Sequence, residues 1–127
     1  MEVTGDKKKI LVVDDSKTAL FMVLTILKKE RYALVTASDG QQAVEMAPVE
    51  RPDLILMDVV MPRKTGFEAC RELKQREDTK RIPIILVTTR GEGPNVEAGY
   101  ESGCNDYITK PVNAQELLAK VRDHIAA

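Results

Sequence analysis

Asp14, Asp15, Asp58, Thr88 and Lys110 are the side chains of this 127-residue chain whose types and places could do chemistry together. The acids close unbroken apolar runs. Ile10-Leu11-Val12-Val13 ends in Asp14-Asp15, and Leu54-Ile55-Leu56-Met57 ends in Asp58. Ile84-Ile85-Leu86-Val87 ends at Thr88-Thr89, and Lys110 stands just beyond a last strand, Asn105–Ile108. A short apolar run with no polar face suits a strand buried on both sides, as in the middle of a parallel sheet. In open α/β sheets ligands bind beyond the carboxyl ends of the strands, so an acid at that end is presented to a ligand. Taken alone, Asp58 serves equally well as a turn residue.

The set says more than its members. If the first and third strands are neighbours, three carboxylates converge, repel and raise one another's pKa. A hard divalent cation and the lysine both relieve that repulsion. Magnesium or manganese suits such a site, because oxygen ligands, several retained waters and one or two carboxylates are its usual company. Carboxylates with such an ion, a lysine and a hydroxyl make a phosphoryl-handling set. The chain has neither G-x-x-x-x-G-K-[ST] nor G-x-G-x-x-G, so it offers no nucleotide cradle.

The elements that would position these residues alternate. After the first strand, Ser16 can cap a helix on which Leu20, Val23, Leu24 and Leu27 share one face. Ala33–Ala37 is a short strand, and Ser38-Asp39-Gly40 turns into a helix carrying Ala43, Val44 and Ala47 inward, which Pro48 should end. Residues 53–58 form the central strand. Met61-Pro62 and Lys64-Thr65-Gly66 mark a loop before a third helix beginning with Phe67 and Cys70. Arg90-Gly91-Glu92-Gly93-Pro94 reads as a loop, and Asn95–Glu101 as a short fourth helix with Val96 and Tyr100 inward. Asn113 with Glu116 resembles a capping box for a fifth helix bearing Leu117, Leu118, Val121 and Ile125. Five strands alternating with five helices predict an α/β fold, a parallel sheet sandwiched between helices.

Composition narrows the function classes. A length of 127 residues suits one domain, here residues 10–127 after a short polar leader, 1–9, that carries Lys7-Lys8-Lys9. The net charge of −1 gives no overall field for nucleic acid or anionic lipid. Cys70 and Cys104 form no C-x-x-C pair, so they read as reduced, buried thiols of a cytoplasmic protein. No apolar run approaches a membrane span. His124, the only histidine, lies in the last helix, far from the acids, as a solvated residue.

Asp14-Asp15, Asp58-Val59-Val60-Met61-Pro62, Thr88, Tyr107 and Lys110-Pro111, in this order and spacing, resemble the receiver domain of two-component response regulators, the CheY-like family. The resemblance covers the chain from about Ile10 to its end. It implies a flavodoxin-like three-layer sandwich with strand order 2-1-3-4-5. It implies that Asp58 accepts a phosphoryl group from a sensor histidine kinase or phosphotransfer protein. Asp15 would bind Mg²⁺ directly and Asp14 mainly through water, with Asp58 and the backbone carbonyl of Val60 completing the protein ligands. Lys110 and Thr88 would contact the phosphoryl oxygens, and the Lys110-Pro111 peptide would be cis. Thr88 would then draw Tyr107 inward and reshape the surface of helix four, strand five and helix five for a downstream protein. Val60, Thr89 and Arg90, around the mouth, would tune the lifetime of the phosphoaspartate.

Other functions fit less well. A phosphatase of the haloacid-dehalogenase type needs a second acid two residues after its nucleophile, and Val60 stands there. A vestigial interaction module should have gaps in the acid, threonine and lysine set, and none is missing. A flavin site would want a Ser/Thr/Gly-rich loop after the first strand. The expected protein is therefore a switch that accepts a phosphoryl group, with at most slow autodephosphorylation and no direct contact with nucleic acid.

Overall fold

The computed structural model describes residues 7–89 and 100–125. Apolar runs become strands wherever the sequence has no polar face to show. These are β1 (Lys9–Val13), β2 (Ala33–Ala37), β3 (Leu54–Asp58), β4 (Ile84–Thr89) and β5 (Asp106–Lys110). They form one parallel sheet in the order β2-β1-β3-β4-β5. Every residue of β3, the central strand, is buried.

Helices cover both faces. They are α1 (Lys17–Leu27), α2 (Gly40–Glu50), α3 (Gly66–Gln75) and a C-terminal helix, α4 (Ala114–Ile125). One core lies under α2 and α3, with Leu11, Val13, Ile55, Met57 and Leu86 from the sheet meeting Ala43, Ala47, Cys70 and Leu73. The other lies under α1 and α4, where Ile10, Val12, Leu56, Ile85 and Ile108 meet Leu27, Leu117 and Val121. Successive strand residues point to opposite faces, so these two sets alternate along each strand. No helix among the described residues is long and apolar enough to cross a membrane.

Local chemistry sets the helix starts. Ser16 accepts a hydrogen bond from the Ala19 amide, and Asn113 accepts one from the Glu116 amide. Asp39 accepts from the Gln42 amide at the start of α2. Pro48 does not end α2, which continues to Glu50 and closes on Arg51 in the left-handed region at φ 50°. A proline's own φ is helical, so in the last turn it costs one hydrogen bond and leaves the following residues free to continue. The amide of Arg51 still donates to the Ala47 carbonyl at 2.9 Å.

Four helices are described where five were expected. The missing one, Asn95–Glu101, lies mostly outside the described residues, and only its last two positions, Tyr100 and Glu101, are seen and are helical. Tyr100 is not inward as expected but half exposed, its ring edge-on to Tyr107 with centroids 5.6 Å apart. The last strand also differs. It runs to Lys110, paired with Thr89, so the lysine ends the strand rather than following it.

Candidate functional site

Parallel pairing aligns the carboxyl ends of the strands along one edge of the sheet. Asp14 and Asp15 leave β1, Asp58 ends β3, Thr88 sits one residue before the end of β4, and Lys110 ends β5. Two backbone contacts hold these ends in register. The Asp14 amide donates to the Ala37 carbonyl at 3.1 Å, and the Val59 amide to the Val87 carbonyl at 3.1 Å. One Asp14 oxygen accepts from the Ser16 amide at 2.9 Å, which fixes that carboxylate at the head of α1.

The loop after β3 is gripped from two sides. The Gly66 amide donates to the Val59 carbonyl at 2.8 Å. A Cβ on Gly66 would overlap the Asp58 carbonyl oxygen, so α3 can start this close to the strand end only without a side chain there. Thr65 and Glu68 form a reciprocal capping box at that start. Farther round the loop, the guanidinium of Arg63 forks onto Asp39, at 3.0 and 3.2 Å, and so ties the loop to the N-terminus of α2. That fork holds the Asp39 carboxyl below the usual carboxylate range, helped by the Gln42 amide.

Within the cluster, ligand oxygens of Asp14, Asp15 and Asp58 all lie within 4.8 Å of one another. Asp14 and Asp58 are buried, and Asp15 is exposed. The Lys110 ammonium is 3.0 Å from an Asp58 oxygen and 3.8 Å from an Asp14 oxygen. To reach Asp58 from β5 it must cross β4, two strand spacings or roughly 9.5 Å, which only a long side chain helps to bridge. Thr88, near the end of the intervening β4, is buried, 3% exposed.

Burial pushes the Asp58 carboxyl up. The hydrogen bond from Lys110 opposes that rise, and the charges of Asp14 and Asp15 add to it. The neighbouring acids thus add to the rise at Asp58, but desolvation is its larger cause. For Lys110 burial acts downward, yet the hydrogen bond to Asp58 and the charges of Asp58, Asp14 and Asp15 outweigh it and hold the ammonium above its ordinary value. An all-oxygen donor set with more acid than base suits a hard divalent cation, and these residues fit one.

The outer members are placed less uniformly. Val60 is 69% exposed at the rim, while Val59 and Met61 on either side are buried. Thr89 closes β4, its side chain lies outside the described atoms, and Arg90 lies outside the described residues altogether. The Lys110-Pro111 peptide is cis. Tyr107 is half-buried in β5, and Lys120 of α4 holds its ammonium 5.4 Å from the ring centre while donating to the Tyr107 carbonyl at 2.9 Å. His124 is not simply solvated, since its Nε2 lies 3.1 Å from Asp106 at the far end of β5.

Sequence reasoning passed over the Arg63–Asp39 fork and the Thr65/Glu68 capping box. The second was legible as T-x-x-E before an apolar run. The first was not, because its partners are 24 residues apart.

Known proteins share this fold. The model of the response regulator receiver domain matches residues 10–122. Protein PilH of Pseudomonas aeruginosa is 38% identical over 118 residues, covering 93% of this chain and 98% of that one. The alkaline phosphatase synthesis transcriptional regulatory protein PhoP of Bacillus subtilis is 39% identical over 115 residues, covering 91% of this chain but 47% of PhoP. Among solved structures, the receiver domain of the sensor histidine kinase PA1611 from P. aeruginosa superposes with a TM-score of 0.89 at 32% identity, covering 95% of this chain and 99% of that one. That structure has a magnesium ion coordinated in its active-site cleft.

Proposed function

The chain belongs to the response regulator receiver domain family and so serves phosphorelay signalling, and from that premise we propose that Asp58 is its phosphoacceptor. The observation that carries the proposal is one contact in its setting: an ammonium 3.0 Å from a buried carboxylate, within a cluster of acids that needs positive charge.

An Asp58 oxygen attacks the phosphorus of a phosphohistidine on a kinase or phosphotransfer protein. A P–O bond forms as the P–N bond breaks, and the electron pair of that bond returns to the imidazole. The product is an aspartyl phosphate, a known use of a carboxylate nucleophile. Attack requires the ionised carboxylate, which Lys110 favours by donating to it. As charge shifts onto the phosphoryl oxygens, Lys110 follows as a point charge and the Thr88 hydroxyl donates to the same group. Asp14, Asp15 and Asp58, with the Val60 carbonyl, would hold Mg²⁺. When bound, that ion neutralises the carboxylates and the transferring group.

Movement of Thr88 toward the phosphoryl group vacates space beside β5. Tyr107 gives up its contacts with Tyr100 and Lys120 to fill it, and the surface of β5, α4 and the segment before β5 changes for a partner protein. The exposed Val60 side chain limits access of water to the phosphoaspartate, and Thr89 and Arg90 contribute to setting its lifetime. The protein is on this reading a stoichiometric acceptor in the cytoplasm rather than an enzyme acting on an external substrate. Incubation with a small phosphodonor and Mg²⁺ tests the proposal: wild type should gain one phosphoryl group and Asp58→Asn none. Rapid multiple turnover of the donor would instead favour a phosphatase.

A further inference from the structure

The cleft beside the acids opens into a cavity of about 250 Å³ between α1 and α4. Its floor is Val12, Leu56 and Ile108, all buried, and its walls are Leu20 and Val23 of α1 and Leu117 of α4. Its lining is almost entirely apolar, and its charged groups, Asp14, Asp58 and Lys110, are those of the strand-end cluster. An engineered apolar cavity of about 150 Å³ holds benzene, so this one admits a body of roughly six to ten carbons.

The mouth selects the head of such a ligand. Two carboxylates face one ammonium there, and Asp15 stands within 4.8 Å of both acids. An anionic head would meet this excess of acid, and a neutral one would leave it unanswered. We propose that the cavity binds a small amphiphilic cation, a protonated primary amine whose apolar body lies between α1 and α4 and whose head pairs with Asp14 and Asp58. The proposal stands on the cavity and its charged mouth, and does not require that Asp58 be phosphorylated.

Linear alkylamines from propyl to octyl are the probes, titrated into the full chain and followed through the backbone amide resonances of Leu20 and Leu117. Affinity should rise about fourfold per added methylene until the cavity is full. The matched alcohols should bind at least tenfold more weakly, and Mg²⁺ should displace the amines. Ala19→Leu, which fills the cavity from the α1 wall, should abolish the dependence on chain length. Asp14→Asn should weaken the amines and leave the alcohols unchanged. Affinity in the wild type that ignores chain length, or alcohols that match amines, would overturn the proposal whatever the variants do.

Discussion

Replacing Gly66 by alanine tests whether the grip of α3 on the end of β3 positions Asp58. A Cβ at residue 66 would overlap the Asp58 carbonyl oxygen and stand 2.9 Å from the Val59 Cα and 3.2 Å from the Asp58 carbonyl carbon. All three atoms are backbone, so no side chain can swing aside. The helix or the strand end must move. Overpacking of this kind costs about 1–3 kcal/mol. Alanine returns at most about 0.5–1 kcal/mol through lower backbone entropy, and less at the first position of a helix than in its interior. The net loss is therefore about 1–2 kcal/mol, or a fall in Tm of about 3–10 °C for a chain of this size. Because two of the three atoms belong to Asp58, phosphoryl uptake and Mg²⁺ affinity should fall by more than the fraction unfolded explains. Thermal denaturation and Mg²⁺ titration on the same preparation give both quantities. An unchanged or raised Tm with unchanged Mg²⁺ affinity would refute the reasoning, and would mean that the strand end is held by something other than α3.

Three further outcomes follow from the same contacts. Asp58 has a raised folded pKa, so its ionised form weakens the fold above that pKa and the penalty disappears below the unfolded value near 4; Asp58→Asn should stabilise at neutral pH, and the gain should shrink on acidification in parallel urea titrations. Lys110→Gln removes the hydrogen bond that opposes the rise in Asp58, so the acid limb of phosphoryl uptake should move to higher pH, and an unmoved limb would show that Lys110 does not set the ionisation. Asp39→Ala loses the cap of α2 and the anchor of Arg63 and should cost about 1–2 kcal/mol; since the Asp39 pKa is lowered, that stability is present above the unfolded value and lost as pH falls, so wild type and variant should converge in acid.

Much of this arrangement can be read from residue order. Leu54–Met57 and Ile84–Val87 have no polar face, and such runs leave a strand no place but the interior. An acid, a threonine and a lysine at successive strand ends then meet by topology alone once the strand order is known, and that order came from the family resemblance. What escaped was decided by tertiary contact or by small offsets. Pro48 reads as a terminator, yet it sits so near the helix end that it costs one bond and stops nothing. Tyr100 reads as inward from its spacing, but its ring packs edge-on to Tyr107 at the surface. His124 reads as solvated until α4 folds back and brings it to Asp106, 18 residues earlier. Arg63 carries no local signal for its pairing with Asp39, because the loop after β3 and the cap of α2 meet only when both helices pack on the same face of the sheet.

The central claim is that Asp58, and no other group, carries the transferred phosphoryl. Phosphorylated chain reduced with borohydride, which converts an aspartyl phosphate to homoserine, followed by sequencing of the peptide spanning residue 58, tests it most directly. The account predicts homoserine at position 58 in phosphodonor-treated wild type and none without donor. Homoserine at position 14 or 15, or a phosphoryl group that resists borohydride on a hydroxyl or imidazole side chain, would contradict it.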